Sequence, residues 1–294
     1  MQTVERNNSS RLAKFRTNVV IAEENGRKYV CKYASSPKAL PFLKLITERE
    51  HQNVSYLAEH FDVLCGVLKD DRIEYKYLPY PSLIDIIGGY LRNEDYKKAN
   101  ELLQMYVKRL ESLEDIQIVP NEFLNFIDDK SDFGCPEMLC LRRGLFDLTP
   151  RNIMVDQDRW IVIDNEWSFD YPVPIAFILF RALREMAMIL QPEIRKSTNI
   201  SNPAIGLFAR NLRTYYVPVV WANILKDSQI SLNNLLRWEQ GFQRYVLGPH
   251  ADAVGIIISR PKTRIKILGN SIILKRIYRY FKVVPGMVNL VRYI

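Results

Sequence analysis

Two short segments with apolar runs lie near the start of the chain on either side of a polar turn. Residues 15–22 and 28–33 read as two strands joined by Glu24-Asn25-Gly26, because Asn-Gly takes up the left-handed turn that a tight hairpin needs. From about residue 39 to 61 the apolar positions recur every three or four residues. This predicts a helix starting near Pro41 and carrying Glu48 and Glu50. Residues 63–68 and 72–78 alternate like two more strands, so the first 78 residues predict a small sheet with one helix. Pro79 and Pro81 break the pattern, and residues 82–91 and 96–113 then read as two amphipathic helices. Two short apolar runs, 153–155 and 160–163, predict a hairpin around Asp156-Gln157-Asp158-Arg159. Long helix-periodic segments fill the stretch from Ile175 to Leu247. The expectation is an α+β chain with a β-rich lobe over 1–78 and a larger helical lobe over 79–252.

Composition changes this picture only at the end of the chain. Hydrophobic residues at 48% and charged residues at 25% over 294 positions are ordinary for a globular protein. Cys31, Cys65, Cys135 and Cys140 are scattered without metal or disulfide spacing, which points to a reducing cytoplasm. His51, His60 and His250 have no neighbours that would make a triad or metal site, which argues against a histidine base. The N-terminus is polar, unlike a secretory signal, and no apolar run is long enough to span a bilayer. Residues 253–294 contain nine Lys and Arg and no acid. With a net charge of +8 overall, residues 1–252 carry −1, and the basic character belongs to this tail. The segment 273–282, Ile-Leu-Lys-Arg-Ile-Tyr-Arg-Tyr-Phe-Lys, reads as a basic amphipathic helix suited to anionic lipid, where each cation contributes about 1 kcal/mol.

The hairpin holds the candidate chemistry. If it is centred on Asp158, Asn152 lies opposite Asp164, and residues so placed have Cβ atoms roughly 5 Å apart. An amide oxygen and a carboxylate at that spacing can share a hard cation such as Mg2+. Asp147 sits on the loop leading in, close to the same point. Spacing alone equally allows a surface hairpin with polar ends.

Phe146-Asp147-Leu148-Thr149-Pro150-Arg151-Asn152 resembles the catalytic loop of the protein-kinase-like phosphotransferases, the superfamily that includes aminoglycoside and choline kinases. Ile163-Asp164-Asn165-Glu166 resembles the Ile-Asp-x-Glu of its small-molecule kinases more than the Asp-Phe-Gly of protein kinases. Tyr29-Val30-Cys31-Lys32-Tyr33 resembles the strand of the phosphate-binding lysine, and Glu74-Tyr75-Lys76-Tyr77-Leu78 the adenine-binding hinge. The likeness covers about residues 10–185. It implies a bilobal kinase-like fold that uses ATP and Mg2+. Asp147 would orient an acceptor hydroxyl and take its proton, and Lys32 would steady the phosphates with Glu50, or else Glu48, fixing its ammonium. Asn152 and Asp164 would hold the metal, and Glu166 would add a second metal contact or bind a water of the metal's shell. Tyr75 and Tyr77 would mark the nucleotide edge.

Three departures stand out. Leu145 and Phe146 precede Asp147 where the family carries His-Arg or His-Gly, no glycine occurs in residues 1–25, and Glu166 replaces the glycine of the protein-kinase motif. Asn7-Asn8-Ser9-Ser10 offers alternative phosphate donors. Asp-x-Thr-Pro-Arg-Asn-Ile, Asp-Asn-Glu-Trp and Pro172-x-Pro174 together resemble bacterial kinase modules of surface-polysaccharide assembly. That likeness implies a sugar or glycan acceptor. The basic tail would hold the protein on the inner face of the plasma membrane, dock a glycosyltransferase or other glycan-assembly partner, or pack on the helical lobe. Nucleic acid is not expected, since no such motif accompanies the charge. The alternatives are a kinase of a small amine or antibiotic, and a pseudokinase scaffold.

Overall fold

The computed structural model describes residues 3–127, 137–198, 204–210, 213–228 and 230–251, all within one compact unit. The basic tail and Cys135 lie outside these residues. The chain opens as an antiparallel meander of β1 (Thr3–Asn7), β2 (Thr17–Glu24) and β3 (Arg27–Ala34). The β2–β3 turn closes at Glu24↔Arg27, with Asn25 at φ 50° and Gly26 at φ 74°. Both turn residues are left-handed, the geometry that matches the twist of the flanking strands. Helix α1 (Leu40–Leu57) follows, with Pro41 in its first turn and Phe42, Leu43, Ile46, Glu50, Asn53 and Leu57 on its buried face.

The expected strand over 63–68 divides into two. β4 (Asp62–Val63) leaves the first sheet and pairs in parallel with a strand of the helical lobe, while β5 (Val67–Leu68) pairs with β6 (Arg72–Lys76). Gly66 lies between them under Ile73 and Tyr75, so close that a Cβ would sit 2.2 Å from the Ile73 side chain. The sheet order is β1-β2-β3-β6-β5.

Beyond it, α2 (Leu83–Arg92) starts on a capping box between Ser82 and Asp85, and α3 (Tyr96–Glu111) on Asp95. β7 (Glu114–Ile118), the short α4 (Asn121–Phe126), β8 (Glu137–Leu141) and β9 (Gly144–Leu145) lead to the central hairpin of β10 (Ile153–Asp156) and β11 (Arg159–Val162). β11 is the strand that receives β4, so this small sheet joins the two lobes. β12 (Ser168–Phe169) pairs with β9, and β13 (Val173–Pro174) with β8.

The helical lobe packs around α5 (Ile175–Ile189), which is apolar on nearly every side and correspondingly buried. After α6 (Gln191–Thr198) comes a hairpin of β14 (Ala204–Arg210) and β15 (Arg213–Pro218), where the sequence pattern predicts helix. The short α7 (Val219–Ala222) and the long α8 (Leu232–Leu247) complete the described fold. Phe123, Phe146, Phe169, Phe177, Trp238 and Phe242 form one aromatic core here, with Phe146 ring centroids 4.9–6.3 Å from four of the others. The protein is α+β, with a β-rich first lobe and a larger helical second one, as the sequence predicts.

Candidate active site

The loop 146–152 is held at both ends. Phe146 is fully buried in the aromatic core, and its N–H donates to the Trp167 carbonyl at 2.9 Å. The Phe146 side chain thereby plugs the loop into the protein interior. Tyr106 Oη donates to the Leu148 carbonyl at 2.8 Å, and Asn152 Nδ2 donates to the Asp147 carbonyl at 3.0 Å. With its NH2 group turned to Asp147, the Asn152 amide presents its oxygen elsewhere as an acceptor.

The register differs from the one expected. The β10–β11 ladder pairs Ile153 with Val162 and Asp156 with Arg159, leaving a two-residue turn of Gln157 and Asp158, with Gln157 at φ 55°. Asn152 therefore lies opposite Ile163, whose N–H reaches the Asn152 carbonyl at 2.8 Å, and not opposite Asp164. The chain then kinks: Asp164 has φ 53°, a left-handed conformation that Asp tolerates better than most residues. The kink leads into Asn165, Glu166 and Trp167, all buried, while Asp164 stays 23% exposed.

Asp147 lies between these parts. One carboxylate oxygen accepts from the Trp167 N–H at 3.3 Å, and the other is 3.7 Å from Arg181 Nη2. Burial pushes its pKa up to about 7, opposed by Arg181 and reinforced by Asp164 and Glu166. A carboxylate poised there is suited to accept a proton at neutral pH. Behind it, Arg181 also donates to the Phe146 carbonyl at 2.9 Å and binds Glu239 at 2.6 Å. Glu239 has no exposed surface and further accepts from Arg184 at 3.1 Å and Gln243 at 2.8 Å. Burial pushes the Glu239 carboxyl up, and the two guanidiniums outweigh that and lower it.

Lys32, on β3, crosses to the second lobe, where its ammonium binds Asp164 and, at 2.9 Å, Glu166 Oε1. Burial pulls the ammonium pKa down, and these two carboxylates outweigh it and raise it.

Two expectations need correcting. Glu50 does not pair with Lys32. It is fully buried, accepting from Tyr75 Oη at 2.8 Å and from the Gly66 N–H at 3.0 Å, and burial raises its pKa. The helix brings Glu50 under β5 and β6, where a phenol and an amide reach it first, while Glu48 lies on the exposed side of that helix. Glu166 does not face outward as a metal ligand. One oxygen meets Lys32 and the other meets Arg11 Nη1 at 2.5 Å. Arg49 donates to its carbonyl at 3.2 Å. Arg11, Arg181 and Glu239 are absent from the sequence expectation. The only hint of the first was the polar, glycine-free stretch in which it lies.

Tyr75 points inward to Glu50, and its backbone pairs with Val30 in the sheet. Tyr77 and Leu78 lie beyond the last β3–β6 pair, Tyr29↔Lys76, so their backbone groups fall outside that ladder. Lys28 Nζ sits 5.8 Å from the Tyr77 ring centroid.

Among the described residues no three of His, Cys, Asp and Glu converge to hold a metal unaided. Mg2+ fits nonetheless, since it commonly takes one or two protein oxygens and completes its shell with phosphate and water. Asp164, the partly exposed carboxylate, and the Asn152 amide oxygen are the donors available for it.

No protein-family profile matches the chain, and no curated protein does. Solved structures do. Choline kinase LicA from Streptococcus pneumoniae is 16% identical, covering 77% of this chain and 78% of that one, with a TM-score of 0.39. Macrolide 2'-phosphotransferase type I is 12% identical over 87% and 91%, with a TM-score of 0.40. A thermostable mutant of aminoglycoside phosphotransferase APH(4)-Ia, in apo form, is 12% identical over 83% and 85%, with a TM-score of 0.42. Likenesses this distant do not say what this chain acts on.

Proposed function

We propose that the protein is an ATP-dependent kinase that transfers the γ-phosphoryl group to a hydroxyl, with a sugar or glycan of bacterial surface-polysaccharide assembly as acceptor. The observation that carries this reading is the convergence of Asp147, Asn152, Asp164 and Lys32. They come from a loop, a hairpin entry, a backbone kink and the opposite lobe. Phosphoryl transfer asks a protein mainly for alignment and charge neutralisation, and these four groups supply both. The bond from the γ-phosphorus to its bridging oxygen breaks, and its electron pair leaves with ADP. A bond forms to the acceptor oxygen, whose proton passes to Asp147. Lys32 neutralises phosphate charge. Asp164 and Asn152 would hold Mg2+, whose charge stabilises the phosphate oxygens when bound.

The electrostatics around Asp147 favour an uncharged or anionic acceptor over an amine. Glu166 is matched by Lys32 and Arg11, and Glu239 by Arg181 and Arg184. Glu185 accepts from Thr149 at 2.6 Å and from Arg151 at 3.4 Å. The two buried carboxylates, Glu166 and Glu239, are thus already matched by cations of the chain itself. The acid-free tail, outside the described residues, gives this enzyme a means of holding anionic lipid, where lipid-linked glycans are assembled. No helix among the described residues is long and apolar enough to cross a membrane.

The test is transfer of label from γ-labelled ATP to a panel of glycans, lipid-linked sugars, proteins and small amines. Label on carbohydrate is the expected result. Label on amines alone would replace the acceptor assignment, and no ATP binding at millimolar concentration would make the protein a scaffold. Removing residues 259–294 should abolish co-sedimentation with anionic vesicles; unchanged sedimentation would rule out the tail as anchor.

A further inference from the structure

The connection between β1 and β2, residues 8–16, contains no glycine, and five of its nine backbone N–H groups are engaged within the fold. Asn8 N–H donates to the Thr17 carbonyl at 3.3 Å, Arg11 N–H to the Asn8 carbonyl at 3.1 Å and Phe15 N–H to the Leu12 carbonyl at 2.8 Å. The Leu12 N–H reaches across to the Val246 carbonyl on α8 at 2.9 Å, and Arg16 Nε donates to the Arg11 carbonyl at 2.7 Å. Phe15 anchors the connection further, with ring centroids 5.0 Å from Phe42, 5.0 Å from Trp167 and 5.1 Å from Tyr245. A loop pinned this way does not offer the cradle of backbone amides that flexible glycines would. A phosphate bound beneath it would depend on side chains directed inward as well as on the remaining amides.

Arg11 is the side chain this connection sends inward. It is 8% exposed, and its guanidinium carbon lies 5.4 Å from the Trp167 ring centroid. Its Nη1 shares Glu166 with Lys32, so one carboxylate bridges two buried cations of the first lobe, one from the β1–β2 connection and one from β3. Guanidinium carries five N–H donors in a planar fork, and Glu166 engages only one of its nitrogens. Asp164 and Glu166 together balance the two cations. A triphosphate carries the negative charge to take over that balance.

We propose that Arg11 is a phosphate-binding residue, set beside Lys32 by Glu166, which grips the terminal phosphates of the nucleotide in place of a glycine-rich loop. Glu166 is then a positioning residue for this pair. The role deepens the kinase reading and rests on it.

Calorimetric titration of the full chain with ATP, ADP and AMP tests the proposal without turnover. In Arg11→Gln, ATP affinity should fall about 10- to 100-fold, the range for losing a charge-assisted hydrogen bond, while AMP affinity changes less than about twofold. Arg11→Lys should recover part of the loss, since it keeps the charge and loses the fork. The double variant Arg11→Gln/Glu166→Gln removes both charges, leaves no orphaned buried carboxylate, and carries the test if the single variant does not fold. Continued weak ATP binding in the double variant supports the phosphate role. Recovery of parental affinity would show that Arg11 only neutralises Glu166 and would overturn it, as would an equal fall for ATP and AMP or no fall at all. A parent chain that binds no nucleotide would overturn the kinase reading and this role together. A parent that binds ATP beside an Arg11→Gln variant that binds it equally would overturn this role alone.

Discussion

Asp147 has a group of alternating charges on each side, and the two groups are built differently. Behind it, Glu239 is sealed from solvent and held by Arg181, Arg184 and Gln243, with all of these on α5 and α8 of one lobe. In front of it, Lys32 and Arg11 reach over from the first lobe to Asp164 and Glu166, and Asp164 remains partly exposed. A sealed, saturated pair fixes geometry, because removing one partner strands the other in a low-dielectric interior. A pair open on one side can exchange one anion for another. The rear group sets where Asp147 sits, and the front group is where a nucleotide would change the partners.

Asp147→Ala probes the point between the groups and carries the largest expected effect. Phosphate transfer should drop by about 10²- to 10⁴-fold, the usual contribution of a positioned base, with ATP affinity nearly intact. Equal turnover in variant and parent would remove Asp147 from the role of base. Next comes Glu239→Ala, which leaves two largely covered guanidiniums, each 12% exposed, without their carboxylate and should destabilise the fold by about 3–5 kcal/mol in urea unfolding. A change under about 1 kcal/mol would mean the rear group is not structural.

The pH dependence sharpens the comparison further. Asp147 accepts a proton only when ionised, so transfer should rise with pH through about 7 and level off above it. Because Arg181 lowers that pKa, Arg181→Gln should move the limb to higher pH; an unmoved limb would break the link between the rear group and the base. Linkage gives the same carboxyl a stability signature. Its folded pKa is raised, so the stability it contributes is fully present below the unfolded carboxyl range near 4 and is lost as pH rises through about 7. Asp147→Asn should flatten that slope in thermal unfolding. The smallest effect belongs to Arg159→Ala, which breaks an exposed pair with Asp62 and should leave stability in urea unfolding nearly unchanged. A larger cost would show that the β4–β11 junction depends on it.

Much of this arrangement was legible in the sequence wherever function imposes local spacing. Asp147 and Asn152 share one short loop, Asp164 follows one hairpin later, and Lys32 sits mid-strand in an alternating run. The hairpin register was one step off because Gln157 takes a left-handed conformation and shortens the turn to two residues. The lysine's partners were not legible. Choosing Glu166 over Glu50 depends on which carboxylate a phenol and an amide have already claimed, and both claimants are distant in sequence. Arg11 finds Glu166 only across the closed fold, and a single arginine in a polar stretch has no period to betray it. The β14–β15 hairpin was missed because its apolar positions, Ile205, Leu207, Phe208, Tyr215 and Val217, also satisfy helical spacing in places.

The bond from Leu12 to Val246 joins points roughly 230 residues apart. At ribosomal rates of about 5–20 residues per second, α8 emerges some 10–50 s after the strand connection that it fastens. Lys32 and Arg11 are thus made early and wait for most of the polypeptide before their surroundings exist. The fastening of the connection that carries Arg11 is complete only once synthesis has passed α8.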